Sequence, residues 1–161
     1  MTDIILRPLG PEDYLPIITV IDEWWGGRHM ADHLPRLFFD YFRDTSFLAE
    51  SGGERVGFLA GFVSASSSEI AYVHFIGVSP EFRGSGLGRM LYEAFFAEAR
   101  ARGCVEVRAV THPVNTPSIA FHRAVGFVVV PGDAEANGIS YHRDDEGPGG
   151  DRVHFAYRLV P

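Results

Sequence analysis

The segment Val78-Ser79-Pro80-Glu81-Phe82-Arg83-Gly84-Ser85-Gly86-Leu87-Gly88-Arg89 has the residue types and spacing to hold an anion. Gly84, Gly86 and Gly88 carry no Cβ, so their backbone N–H groups can turn inward and approach a phosphate closely. A helix beginning at this turn adds unpaired N–H groups and about half a positive charge at its first residues. Arg83 and Arg89 bring positive charge to the same place. Two other phosphate motifs fail on spacing. A P-loop needs Gly-Lys-Ser/Thr, and the segment contains no lysine. A dinucleotide fingerprint, G-x-G-x-x-G, meets Arg89 when counted from Gly84 and Leu91 when counted from Gly86. What fits is Arg-x-x-Gly-x-Gly at Arg83, Gly86 and Gly88.

Such a loop has to be a local exception. The 161 residues include 14 basic and 21 acidic side chains, a formal net charge of -7. That balance repels a polyphosphate backbone, so nucleic acid is not an expected partner. A cationic or amine acceptor suits the global sign better. Cys104 is the single cysteine, which rules out a disulfide framework and a Cys-rich zinc site; no metal centre is expected, and a buried packing role suits this residue. The start MTDIILRPLGPEDY lacks the basic and apolar regions of a secretory leader, and no apolar run reaches the roughly 20 residues that span a bilayer. The expected location is cytoplasmic, without a membrane partner.

The elements that must position the loop follow from periodicity. Asp3 to Arg7 reads as a strand ended by Pro8. Glu12 to Trp25 has helical spacing, with Leu15, Ile18, Ile21 and Trp25 on or near one face. His33 to Arg43 predicts a second helix. Ser46 to Glu50 and Arg55 to Ser64 flank the turn Ser51-Gly52-Gly53 as a hairpin. Ile70 to Val78 is mostly apolar, as in a strand covered on both faces, and Pro80 stops it. From Gly86 the period becomes helical until Gly103 supplies a stop. Val105 to Thr111 is a strand, Pro113 to Val125 a helix, and Gly126 to Val130 and Val153 to Val160 further strands. These elements predict an α/β (α+β) architecture in one domain, residues 1–161. Pro131 to Arg152 lacks periodicity and carries Asp144, Asp145, Glu146 and Asp151; it is either a solvated insert or a substrate-facing loop.

Together with Asn115-x-x-Ser118-x-x-Phe121-His122-x-x-x-Gly126-Phe127, the Arg83–Gly88 pattern resembles the GNAT superfamily of N-acetyltransferases over most of the chain. The resemblance implies a mixed, mostly antiparallel sheet of about six to seven strands flanked by helices. It implies acetyl-CoA as cofactor, with the pyrophosphate on Arg83, Gly84, Ser85, Gly86, Leu87, Gly88 and Arg89. The pantetheine arm is then expected along Ile76, Gly77 and Val78, near Asn115, Ser118, Phe121 and His122. A backbone N–H between Phe75 and Gly77 would hold the thioester oxygen, and Gly77 suits a bulge or a close approach. Asn115 is equally explained as a helix cap.

Many relatives place a tyrosine, the acid for the leaving thiolate, four residues before Gly-Phe; here His122 occupies that slot. His122 is therefore a candidate acid, or else a helix-surface histidine packing near Phe121. Amines have reference pKa values near 10, so the acceptor must lose a proton before attack. His74 and Glu69 are candidate bases or water-chain members, although alternation with Val73 and Phe75 also allows His74 to be a core histidine. Trp24, Trp25, Tyr72 and His112 are expected on the acceptor side, and the adjacent tryptophans cannot both enter one core. The implied reaction moves an acetyl group to a primary amine of a small molecule or peptide. The alternative is an acyl-CoA sensor on the same fold, and monomer and homodimer remain open.

Overall fold

A single strand, β4 (Ile70–Val78), organises the molecule, with the limits its apolar run and Pro80 predict. The computed structural model describes residues 3–159. Before β4 come β1 (Ile4–Pro8), three short helices α1 (Tyr14–Ile18), α2 (Ile21–Trp24) and α3 (Leu37–Tyr41), then β2 (Phe47–Ser51) and β3 (Glu54–Val63). After it come α4 (Leu87–Ala101), β5 (Glu106–Thr111), α5 (Thr116–Val125), β6 (Val128–Val130), β7 (Ala134–Ala136), β8 (Ile139–Tyr141) and β9 (Val153–Arg158). The expected end of the last strand at Val160 lies outside the described residues. Seven strands form one sheet in the order β1-β2-β3-β4-β5-β9-β6, and β7 pairs with β8. Every pairing is antiparallel except β4 with β5.

Both faces of the sheet are covered. On one face α4 buries Leu87, Leu91, Tyr92, Phe95 and Phe96 against Leu59, Val73, Val107 and Phe155. On the other, Ile17, Ile21, Trp24, Leu34, Phe38 and Phe39 cover Leu48, Phe58 and Ala60. Each large apolar side chain so buried contributes roughly 1.5–3 kcal/mol. The ion-paired corner is equally ordered: Asp13 is wholly buried and receives both terminal nitrogens of Arg7, at 2.9 and 2.7 Å, and Nε of Arg55 at 2.8 Å. This ties α1 to β1 and β3.

The first helices depart from expectation. The stretch 12–25 is broken at Thr19-Val20, where Thr19 Oγ1 donates back to the Leu15 carbonyl at 2.8 Å. Five β-branched residues in succession, Ile17 to Ile21, make continuous helix costly there. The buried stripe is Ile17, Ile21 and Trp24, while Leu15 is 65% exposed. The helix expected over 33–43 is confined to Leu37–Tyr41, because Pro35 holds Leu34 away from helical dihedrals (φ -124, ψ 78). The 131–152 stretch is a built structure, with the β7–β8 hairpin turning on Asn137 and Gly138 (φ 52 and 78).

Candidate active site

β4 and β5 pair at only three positions, Ile70–Glu106, Ala71–Val107 and Tyr72–Arg108, and then part. Beyond Tyr72 the edge of β4 that faces β5 has no strand partner among the described residues. A cleft of about 1160 Å³ opens along it. The wall opposite β4 is made by Ala109–His112 and α5, and the Arg83–Arg89 turn and Trp24–Trp25 meet at one end of the cleft.

The turn at the end of β4 is built as its glycines demand. Gly84 and Gly86 have φ of 78 and 89, a left-handed conformation costly for residues with a Cβ. Gly86 is the N-cap of α4 and no side chain caps the helix, so the first-turn N–H groups of Leu87, Gly88 and Arg89 lack an intrahelical partner where these residues line the cleft. Gly88 answers a different need: a Cβ there would lie 2.8 Å from the Phe121 ring. Its absence lets α4 pack on α5. The two arginines line the cleft with their guanidinium groups anchored on backbone carbonyls. Arg83 donates to the carbonyls of Trp24 and Val78 and lies 5.9 Å over the Trp25 ring; Arg89 donates to Ala124 O at 2.6 Å. With Arg28 and Arg152 they give the cleft four arginines against one carboxylate, Glu146. On a chain of net charge -7 this is the local reversal of sign.

A β-bulge decides the direction of the β4 side chains. Ala60 pairs with Phe75 and Gly61 with Val73, leaving His74 as the extra residue. Ala71 and Val73 therefore enter the α4 layer, and after the bulge Ile76 and Val78 do so again. His74 is exposed in the cleft, stacked on Phe38 at 4.6 Å, and is not the core histidine that simple alternation allows. Its Nε2 lies 2.6 Å from the His33 carbonyl. A carbonyl only accepts, so Nε2 carries the hydrogen and Nδ1 of the neutral ring keeps its lone pair. Asp22 fixes the His33 segment by accepting from the N–H groups of Met30 and Ala31 at 2.8 and 2.9 Å, which also hold its carboxyl below the ordinary range.

His122 does not emerge on the surface of α5. It is buried, stacked face to face on Phe155 at 4.6 Å, at the inner boundary of the cleft. Nδ1 lies 2.8 Å from the Ser118 carbonyl and must donate; Nε2, 2.7 Å from the Tyr92 hydroxyl, must then accept. Burial pushes its pKa down to about 4. Both nitrogens are engaged, and a neutral ring in this tautomer has no proton free to give. His122 is thus neither of the two alternatives its position suggests: it is not on the helix surface, and the acid role is without geometric support. Tyr92 is fully buried and burial pushes its phenol pKa up.

The remaining expected residues divide clearly. Asn115 caps α5, its side chain accepting from Ser118 N–H at 3.2 Å, and Asn115, Ser118, Phe121 and His112 all line the cleft. Ile76, Val78, Tyr72, Trp24 and Trp25 do too. Trp24 is buried against Phe58, whereas Trp25 is half-buried and edge-on to Phe75, the division that adjacent tryptophans require. Three residues are not brought to the cleft. Glu69 is exposed before the first residue of β4, where only its carbonyl is used, pairing with Val105 N–H at 2.8 Å. Gly77 faces the other layer, where a Cβ would meet Phe58 at 2.6 Å and Trp25 at 2.8 Å, so its close approach is to aromatic rings. Ser85 turns its hydroxyl back to the Phe82 carbonyl. Cys104 is buried, as expected, and burial raises its thiol pKa.

Of the two readings of the 131–152 stretch, the substrate-facing one holds for Glu146, which enters the cleft; sequence reasoning missed its partner Arg152, with which it forms an ion pair at 3.0 Å. The signal was present in Asn137-Gly138, a hairpin turn dipeptide that fixes how this stretch folds back. Among the described residues no cluster of three or more His, Cys, Asp or Glu could hold a metal, and no helix is long and apolar enough to cross a membrane.

Comparison with known proteins agrees with this geometry. The Acetyltransferase (GNAT) family matches over residues 15–127. Mycothiol acetyltransferase of Thermobispora bispora is 39% identical over 85 residues, covering 50% of this chain and 29% of that protein, so this chain spans under a third of its length. Aminoglycoside N(6')-acetyltransferase type 1 of Salmonella typhimurium is 30% identical over 126 residues, 68% of this chain and 86% of that one. Among solved structures, diaminobutyrate acetyltransferase EctA from Paenibacillus lautus, in complex with L-2,4-diaminobutyric acid and coenzyme A, superposes with a TM-score of 0.71 at 18% identity, covering 100% of this chain and 98% of that one. On the family match, the shared sheet and the glycine turn at the head of α4, this chain belongs to the GNAT acetyltransferase family.

Proposed function

We propose that this protein transfers an acetyl group from acetyl-CoA to a primary amine, within the cleft along the unpaired edge of β4. One observation carries the reading: an uncapped helix start and four arginines stand at a cleft in an otherwise acidic protein. The residues present suit coenzyme A. First-turn N–H groups of α4 fit a pyrophosphate, and the free backbone edge of Ile76–Val78 fits the amide groups of a pantetheine arm as an added strand. When bound, acetyl-CoA supplies the thioester carbonyl that the amine attacks.

The protein's own residues then have three tasks. Backbone N–H groups beside the His74 bulge polarise the carbonyl oxygen, an interaction that contributes roughly 3–4 kcal/mol in other enzymes. His74, its Nε2 bonded to the His33 carbonyl and its ring held on Phe38, takes the proton that the acceptor must lose at Nδ1. The thiolate, with a reference pKa near 8.5, needs little help from an acid, so solvent suffices where His122 is already engaged. The same engagement of His122 is what favours a second reading, a binding module that retains acyl-CoA without transferring from it. A dithiol-reagent assay of coenzyme A release over a panel of amines separates the two. Release above background hydrolysis with an amine is expected; tight acetyl-CoA binding with no release for any amine leaves the sensor.

A further inference from the structure

Glu146 is the single carboxylate among the described residues that line the cleft, and its setting is built rather than loose. Its own N–H donates to Gly150 O at 2.9 Å, and Gly150 N–H donates to Gly147 O at 2.8 Å. His142 and Arg152 exchange both backbone hydrogen bonds, at 2.8 and 3.0 Å. A Cβ on Gly150 would lie 2.6 Å from Glu146 O, so the turn closes only with glycine there. The neighbouring acids are spent on the loop: Asp145 pairs with His154 at 2.7 Å, and Asp144 accepts from Gly149 N–H at 2.8 Å. Arg152 holds Glu146 at 3.0 Å; the arginine side chain is 21% exposed and the glutamate 49%. The clamp is mostly covered, and the carboxylate it holds stays open.

The position along the cleft gives this carboxylate a purpose. Glu146 lies near Tyr72, where burial and the Glu146 charge both raise the phenol pKa. Tyr72 precedes Ile76 by four residues of strand, about 13 Å at 3.3 Å per residue, on the side away from the Arg83–Gly88 turn. The amine that attacks must be neutral when it does so and gains nothing from a distant carboxylate. A group that stays charged does gain, because the other charged side chains of the cleft are arginines and would repel it. Resting on the acetyltransferase reading above, we propose that Glu146 docks a second ammonium group of the acceptor, with Arg152 as its positioning residue, so that the substrate class is di- and polyamines rather than monoamines.

Calorimetric titration of putrescine, spermidine and n-butylamine into the protein loaded with coenzyme A tests this without turnover. The wild type is expected to bind putrescine or spermidine at least tenfold more tightly than n-butylamine. Glu146→Gln should abolish that preference while leaving n-butylamine and coenzyme A affinities unchanged, and Arg152→Lys should reduce it only in part. No preference in the wild type, a preference retained in Glu146→Gln, or an equal loss for all three amines overturns the proposal. Absence of coenzyme A release with any amine, alongside the expected affinities, would instead defeat the transfer reaction and leave the ammonium site standing.

Discussion

The Tyr92 hydroxyl donates to Nε2 of His122 at 2.7 Å, inside an aromatic layer formed by Phe96, Phe121, Phe127 and Phe155. The bond depends on a neutral imidazole, since protonation would turn the acceptor into a second donor facing a phenol. The pair joins α4 to α5, the two helices that flank the cleft, so the charge state of one ring bears on the alignment of both.

A pH dependence of stability follows. The His122 pKa lies at about 4 in the folded protein, against 6.5 for an ordinary histidine, with burial the leading cause. Between these values the unfolded chain binds a proton that the folded one refuses, so stability falls as pH drops from 6.5 towards 4, by on the order of 3 kcal/mol in full. Urea unfolding at pH 7 and pH 4.5 should show this, and His122→Gln should lose about one proton of that slope. An unchanged slope in the variant would show that another group titrates.

The Asp13 corner should fail differently. Burial raises the Asp13 pKa, but hydrogen bonds from Arg7 and Arg55 outweigh it and hold the carboxyl below the ordinary 3.8. Its contribution is complete above that value and is lost only as pH falls below it, outside the His122 window. Asp13→Ala deprives Arg55 of its carboxylate and leaves Arg7 with Glu50, 2.6 Å from its Nε, and is expected to cost about 3 kcal/mol. Chemical denaturation at pH 7 measures it, and a loss under 1 kcal/mol would place the pair's value with exposed ion pairs.

Gly86 separates backbone strain from ligand binding. Open space surrounds the position a Cβ would take, so Gly86→Ala should cost only the left-handed strain, about 1–2 kcal/mol. Gly86→Glu puts a carboxylate over the helix start and should weaken acetyl-CoA binding at least tenfold by calorimetry. Equal affinity in both variants would remove the α4 terminus from cofactor binding.

His74→Ala is expected to lower kcat about a hundredfold at pH 7, the low end for loss of a general base. Acetyl-CoA affinity should stay within twofold of wild type, since the ring lies on Phe38 and not at the α4 turn. A fall in affinity with kcat preserved would reassign His74 to cofactor binding.

Sequence alone determined the features whose causes are local. The limits of β4, the glycine turn before α4, the Gly103 stop and the Asn115 cap each need only a few neighbouring residues, and each lies where those residues predict. Tertiary structure decided everything that depends on which way a side chain faces. One unpaired residue opposite Ala60–Gly61 reverses the parity of β4 and brings His74 into the cleft. The Tyr92 partner of His122 is 30 residues away in sequence and holds the ring inside the aromatic layer, away from the surface position that is one of its two readings. Glu146 reaches the cleft because a distant hairpin and Arg152 carry it there. Local propensity sets where an element begins and ends; register and long-range packing, which no short window of sequence contains, set what it presents.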